Sequence, residues 1–241
     1  MLVTRPEPDG AATAERLAGL GIEPVLAPLM RRRPIPAELP DVSGLAGLVF
    51  TSVNGVRSLG ERTMAARYRG LPVFAVGSRT AQAAEEAGFG PAVSADGDLL
   101  LLAALMRRAA GGGLWFHPTG RHQAGSLADL LSGTGISVRS VPLYDMEPMP
   151  SLPVDIGKGL AGNAFDAALF YSRRTADIFV SLAGGSVTPL SRRRIGMLCL
   201  AAAVAEPLMA AQFARIRLAD RPDEAAMMAL ALAFARDENR A

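Results

Sequence analysis

The sequence is poor in the residues that most often carry metal, redox or covalent chemistry. Its one cysteine, Cys199, sits in an apolar stretch, so no internal disulfide forms. It reads as a small core hydrophobe in a chain expected in a reducing, cytoplasmic compartment. Two histidines, His117 and His122, lie five apart with no cysteine near them. They fit solvated or capping roles better than zinc ligation. Neither a GxxxxGK[ST] loop nor a GxGxxG, CxxC or HExxH pattern occurs, which removes the usual nucleotide and metal signatures. No serine has a recognisable His and Asp to activate it, and Glu85-Glu86 read as a solvated helix face, so covalent hydrolysis is unsupported.

Long hydrophobic runs are also missing. The longest, Leu99 to Met106, falls far short of the ~20 residues of a membrane helix. The chain begins directly in a strand-like LVT without the basic and apolar regions of a signal peptide. A soluble, unprocessed protein with no membrane partner is expected. Lys158 is the single lysine, and the net charge of +2 is otherwise an arginine balance. Apart from Arg31 to Arg33 and Arg192 to Arg194 the arginines are dispersed, with little aromatic interleaving, so no nucleic-acid partner is expected. Arginine suits bidentate pairing with carboxylates, although a general compositional bias towards arginine would look the same.

What is present is the makeup of an α/β protein: half the residues are apolar and 25 of the 241 are glycine. Strand-like runs alternate with helical stretches. LVT precedes a helix near Ala11 to Leu20, GLVFTS one over Gly55 to Arg67, and PVFAVG one over Thr80 to Ala87. LWFHP leads into Gly125 to Leu131, AALFYS into Thr175 to Leu182, and GMLCLA into Val204 to Gln212. That alternation predicts parallel sheets built from βαβ units.

An internal repeat runs through this pattern. Residues 14 to 29 lie over 128 to 143 without gaps, matching Leu17 with Leu131, Gly21-Ile22 with Gly135-Ile136, and Pro28-Leu29 with Pro142-Leu143. GLVFTS matches AALFYS, and VFAVGSRTAQAAEEAGF matches MLCLAAAVAEPLMAAQF. After each Pro-Leu the chain enters a proline-rich stretch that reads as an extended linker. The expected organisation is therefore a discontinuous α/β lobe of residues 1–30 plus 154–241, linkers at 31–40 and 145–153, and a continuous lobe of 41–144. Tandem domains split near residue 112 would carry the same repeat.

Ligands of open parallel sheets bind beyond the carboxyl ends of the strands. Those ends hold Arg5, then Thr51, Ser52 and Asn54, then Gly77, Ser78 and Thr80, then Gly120 and Arg121, then Ser172 and Arg173. Most lead into a helix N-terminus, where free N–H groups favour anions. An anionic ligand is expected, against the plainer reading of each hydroxyl as an N-cap.

LVTRPEP, VFTSVNGV, FAVGSRTAQAAEEAGF, the GR of HPTGRHQAGSLADLL, VPLYD, LFYSRRTADIF and ADRPDEAAMMALAL together resemble the uroporphyrinogen-III synthase family in order and spacing, over essentially the whole chain. The resemblance implies two flavodoxin-like parallel-sheet lobes joined by two extended linkers, one lobe discontinuous, with the active site between them. It implies a lyase that cyclises hydroxymethylbilane, a linear polycarboxylate tetrapyrrole, with loss of water and inversion of ring D, and that needs no metal or organic cofactor. Tyr144 falls at the family's linker tyrosine, which the resemblance places beside the cleft to donate a proton or hydrogen bond to the leaving hydroxyl, against the plainer reading of a tyrosine that packs the hinge. Arg5 and Arg121 become candidates for carboxylate pairing, and Thr51, Ser52, Asn54, Gly77, Ser78, Thr80, Gly120, Ser172 and Arg173 for substrate binding. Ala201 to Val204 replace a polar turn of many members, leaving only backbone N–H groups there. A monomer receiving its substrate from hydroxymethylbilane synthase is expected. The rival from another class is a non-catalytic, two-lobed sensor of an anionic small molecule.

Overall fold

Alternating apolar and helical stretches become alternating strands and helices in the structure, a computed structural model describing residues 1–123 and 125–238. The chain opens with β1 (Leu2–Val3), α1 (Asp9–Gly19), β2 (Val25–Leu26) and β3 (Met30–Pro34). Next come β4 (Leu45–Phe50), α2 (Val53–Gly60), β5 (Val73–Ala75), α3 (Ser78–Glu86), β6 (Ala92–Ser94) and α4 (Leu99–Ala109). They are followed by β7 (Gly113–Gly120), α5 (Leu127–Leu130), β8 (Ile136–Pro148), α6 (Val154–Ala161), β9 (Ala167–Phe170) and α7 (Arg173–Ala183). The last are α8 (Pro189–Arg194), β10 (Gly196–Cys199), α9 (Ala202–Ala210), β11 (Arg215–Leu218) and α10 (Glu224–Glu238).

Two units form, Met1–Arg32 with Glu147–Ala241 and Arg33–Met146. The first holds a five-stranded sheet in the order β2-β1-β9-β10-β11, parallel throughout. Renumbered within the unit this is 2-1-3-4-5, the flavodoxin-like order. The second holds the order β3-β8-β7-β4-β5-β6. Leaving out the edge strand β3, it is the same arrangement with β7 and β8 in the places of β1 and β2.

The sequence repeat and the pairing register agree residue for residue. Leu2 pairs with Val25 and Ala168 in one sheet, as Phe116 pairs with Arg139 and Leu48 in the other. Met197 opposite Ile216 likewise matches Val73 opposite Ala92. Alternation along each strand sends successive apolar side chains to opposite faces. Leu2 packs with Phe170 and Phe179 on one face of the first sheet, and Val3 with Leu198 and Phe234 on the other. Leu48 and Val49 divide in the same way between the two cores of the second sheet. Cys199 is fully buried in β10, where burial pushes its thiol up to about 12, as expected of a core residue.

Three local expectations change. The helix expected over Gly55 to Arg67 stops at Gly60 and gives way to a short 3-10 turn at Ala65–Tyr68. The stretches expected as linkers carry strand. Ile35 N–H donates to Leu143 O and Met149 N–H to Leu29 O, so β3 runs antiparallel to β8. Proline there is compatible with strand because β3 is an edge, where a missing N–H leaves no ladder bond unmade. His117, expected at the solvent, is 2% exposed on β7. Among the described residues no helix is long and apolar enough to cross a membrane, and no group of three or more His, Cys, Asp or Glu could hold a metal ion.

Candidate active site

In the second unit the carboxyl ends of β4, β7 and β8 bring together Thr51, Ser52, Asn54, Gly120, Arg121 and Tyr144. Ser52 caps α2, its Oγ accepting from the Gly55 N–H at 3.0 Å. The same Oγ lies 2.9 Å from the Tyr144 hydroxyl. Two glycines make this geometry possible. A Cβ on Gly55 would stand 2.6 Å from Pro118 O, so α2 could not approach β7, and one on Gly120 would meet the Tyr144 ring at 3.0 Å. Gly120 therefore serves by leaving room for the ring. Tyr144 is 7% exposed, and its carbonyl accepts from the Arg121 N–H at 2.8 Å, tying the end of β7 to β8.

Arg121 keeps a mostly exposed guanidinium, its Nε 3.2 Å from Asp145 Oδ2, while His122 Nε2 stands 3.9 Å from Asp145 Oδ1. Asn54 donates to the Met146 sulfur at 3.8 Å and accepts from Arg57. Thr51 Oγ1 lies 2.9 Å from His117 Nε2, and the other ring nitrogen of His117 lies 3.1 Å from Ser140 Oγ. Desolvation brings the His117 pKa down to about 4. Gly77 is the N-cap of α3 and carries no side-chain cap; Ser78 is exposed, whereas Thr80 is 6% exposed.

In the first unit Ser172 caps α7 as Ser52 caps α2, accepting from the Thr175 N–H at 3.2 Å, and it also bonds the Thr175 hydroxyl at 2.7 Å. Arg173 pairs with Glu206 on α9, both well exposed. Arg5 differs from what was expected of a ligand-pairing arginine. It is buried, donates to Glu224 at 2.6 Å, to Asp9 at 3.0 Å and to Thr13 at 3.1 Å, and stacks on the Tyr171 ring at 4.2 Å. Its fork is held by carboxylates of its own chain. Tyr171 donates to Glu224 as well, and burial raises its pKa.

Sequence reasoning missed Asp145, His117 with Ser140, and Glu224. Asp145 stands in the quoted VPLYD segment, where an acid beside the linker tyrosine is the only signal. Nothing local in the sequence marks Glu224 as the partner of a residue 219 positions earlier.

The chain matches the family model described as uroporphyrinogen-III synthase HemD over residues 11–229. No curated protein matches the sequence significantly. Among solved structures, uroporphyrinogen-III synthetase from Helicobacter pylori is similar with a TM-score of 0.65 at 19% identity, covering 88% of this chain and 92% of that one. A mutant uroporphyrinogen III synthase from the extremely thermophilic bacterium Thermus thermophilus gives 0.55 at 19% identity, with 95% of each chain covered. At these identities the structures speak for the fold, and the family model spans most of the sequence. The chain belongs to the uroporphyrinogen-III synthase family.

Proposed function

We infer that this chain is a lyase that closes hydroxymethylbilane to uroporphyrinogen III, with loss of water and inversion of ring D. The family match over residues 11–229 carries that reading. The reaction is ionic and intramolecular. The hydroxyl leaves to give a cationic azafulvene, which attacks within the same molecule, passes through a spiro intermediate and re-closes with one ring inverted. The substrate also closes spontaneously without inversion, so the enzyme's task is to hold one compact conformation, a contribution of up to about 7 to 11 kcal/mol.

In this reading Tyr144 donates a hydrogen bond to the departing hydroxyl. Ser52 supports it: when the Ser52 O–H donates to the phenol oxygen, Ser52 does not take up the Tyr144 hydrogen, which the phenol can then give to the substrate. The hydroxyls of Thr51, Ser78, Thr80 and Ser172, the Asn54 amide, and the N–H groups at the heads of α2, α3 and α7 would anchor carboxylates, with Ser52 acting through Tyr144. Gly77 leaves open space at the head of α3, and Arg121 in the second unit and Arg173 in the first each offer an exposed side chain. Arg5 enters only through the frame it holds. The working lobes would be residues 1–30 with 154–241 and residues 41–144, with 31–40 and 145–153 connecting them. A monomer taking its unstable substrate directly from hydroxymethylbilane synthase fits the competing spontaneous reaction.

The test is incubation of the purified chain with freshly made hydroxymethylbilane and separation of the products. Type III isomer is expected. Type I isomer alone, formed at the spontaneous rate, would favour the sensor and overturn this reading.

A further inference from the structure

His117 is 2% exposed, Thr51 is half-buried and Ser140 is exposed. The ring stands between the two hydroxyls, Nε2 at 2.9 Å from Thr51 Oγ1 and Nδ1 at 3.1 Å from Ser140 Oγ. A neutral imidazole has one N–H and one lone pair, so the hydroxyls cannot both donate to it or both accept from it. With hydrogen on Nδ1, the ring donates to Ser140, and Thr51 must donate to Nε2. Thr51 then has only lone pairs left for a ligand. With hydrogen on Nε2, the ring donates to Thr51 and the Thr51 hydrogen is released. A carboxylate is acceptor-only, so only the second arrangement lets Thr51 hold one. Ser140 is open to water and can serve either arrangement, which leaves the choice to the Thr51 side.

We propose that His117 is a positioning residue that carries its hydrogen on Nε2, accepts from Ser140 at Nδ1, and so turns the Thr51 hydroxyl into a donor for a substrate carboxylate. The proposal rests on the reaction assigned above. Burial supports it, since a ring kept neutral by desolvation retains the acceptor nitrogen that the arrangement needs.

The experiment reads the ring directly. Protein labelled at its histidine nitrogens is observed by magnetic resonance with and without the stable, oxidised porphyrin form of the product, with His122→Asn to assign the signals. The bound protein is expected to show His117 hydrogenated at Nε2. A bound porphyrin with hydrogen on Nδ1 overturns the role of His117. A porphyrin that fails to bind the wild-type protein overturns the reading of the site, and the proposal with it. Kinetics supply the second readout. His117→Phe and Thr51→Val should each raise KM about tenfold with kcat changed less than about threefold. His117→Gln, whose amide N–H can stand in for Nε2–H, should stay within about threefold of wild type in KM. If His117→Phe does not fold, Thr51→Val against Thr51→Ser gives the same contrast. Equal KM values for Thr51→Val and wild type, or a folded His117→Gln as weak as His117→Phe, overturn the proposal.

Discussion

His117 exchanges water for two hydroxyls, and desolvation alone brings its pKa from 6.5 to about 4. The elements around it also carry charged side chains, Arg57 on α2, Asp98 and Asp129 at the heads of α4 and α5, and Arg139 and Asp145 on β8, so the comparison must be between variants. The unfolded chain binds a proton near 6.5 that the folded protein refuses until about 4. Stability is therefore complete above that window and falls as pH drops through it, by about 3 kcal/mol. Urea unfolding at about pH 7 and about pH 4.5 should show this loss in wild type and its absence in His117→Phe. Two strand positions on, the Thr119 hydroxyl is buried with no hydrogen-bond partner among the described residues. An unsatisfied buried hydroxyl is costly, so Thr119→Val should raise unfolding free energy by about 1 kcal/mol. On the proposed reaction, Tyr144→Phe removes an interaction formed while water leaves. It should lower kcat by no more than about 100-fold with type III still formed, because backbone N–H groups or water can substitute in part. Unchanged kcat would remove Tyr144 from the reaction.

At the scale of elements, Arg5 joins the end of β1 to α1 through Asp9 and Thr13 and to the first turn of α10 through Glu224. Deleting it removes the buried cation that Asp9, Glu224 and the Tyr171 ring share, and the exposed Arg16 beside Glu224 replaces it only in part, so Arg5→Ala should cost about 2 to 3 kcal/mol. Amide exchange in α10 should quicken, whereas KM in the fraction that stays folded should change little. Arg5→Lys should not restore stability, because an ammonium cannot reproduce the three-way fork. A large rise in KM with unchanged stability would return Arg5 to the ligand. The elements most legible in the sequence were those whose ends are chemically marked. Ser52 and Ser172 are caps for helices of strong apolar periodicity, and β4 and β9 are uninterrupted apolar runs. Tertiary partners were not legible, since the placement of His117 and Arg5 depends on contacts from distant segments. The extended stretches were legible as extended but not as paired, because a proline-bearing edge strand and a free linker have the same local signature.

Across the whole molecule the repeat was the most informative signal. It maps β1 and β2 onto β7 and β8, and β9 to β11 onto β4 to β6, register included. The two sheets share an order while their chain connections are permuted. That permutation has a consequence for synthesis. The second unit is one continuous stretch of chain and, the edge strand β3 apart, can assemble its sheet from its own residues. The first unit cannot. Its β1 and β2 are two residues each, too little to stand alone, and β1 must wait for β9, whose Leu169 carbonyl accepts from the Thr4 hydroxyl at 2.5 Å across 165 positions. At synthesis rates of about 5 to 20 residues per second the N-terminal segment therefore stays open for many seconds while the second unit forms behind it. A fragment ending at Met146 should show protected amides in β4, β5 and β7 and none in residues 1–26. Protection of β1 in that fragment would mean that it finds its structure without its late partner, and that the growing chain does not hold β1 open until β9 has been made.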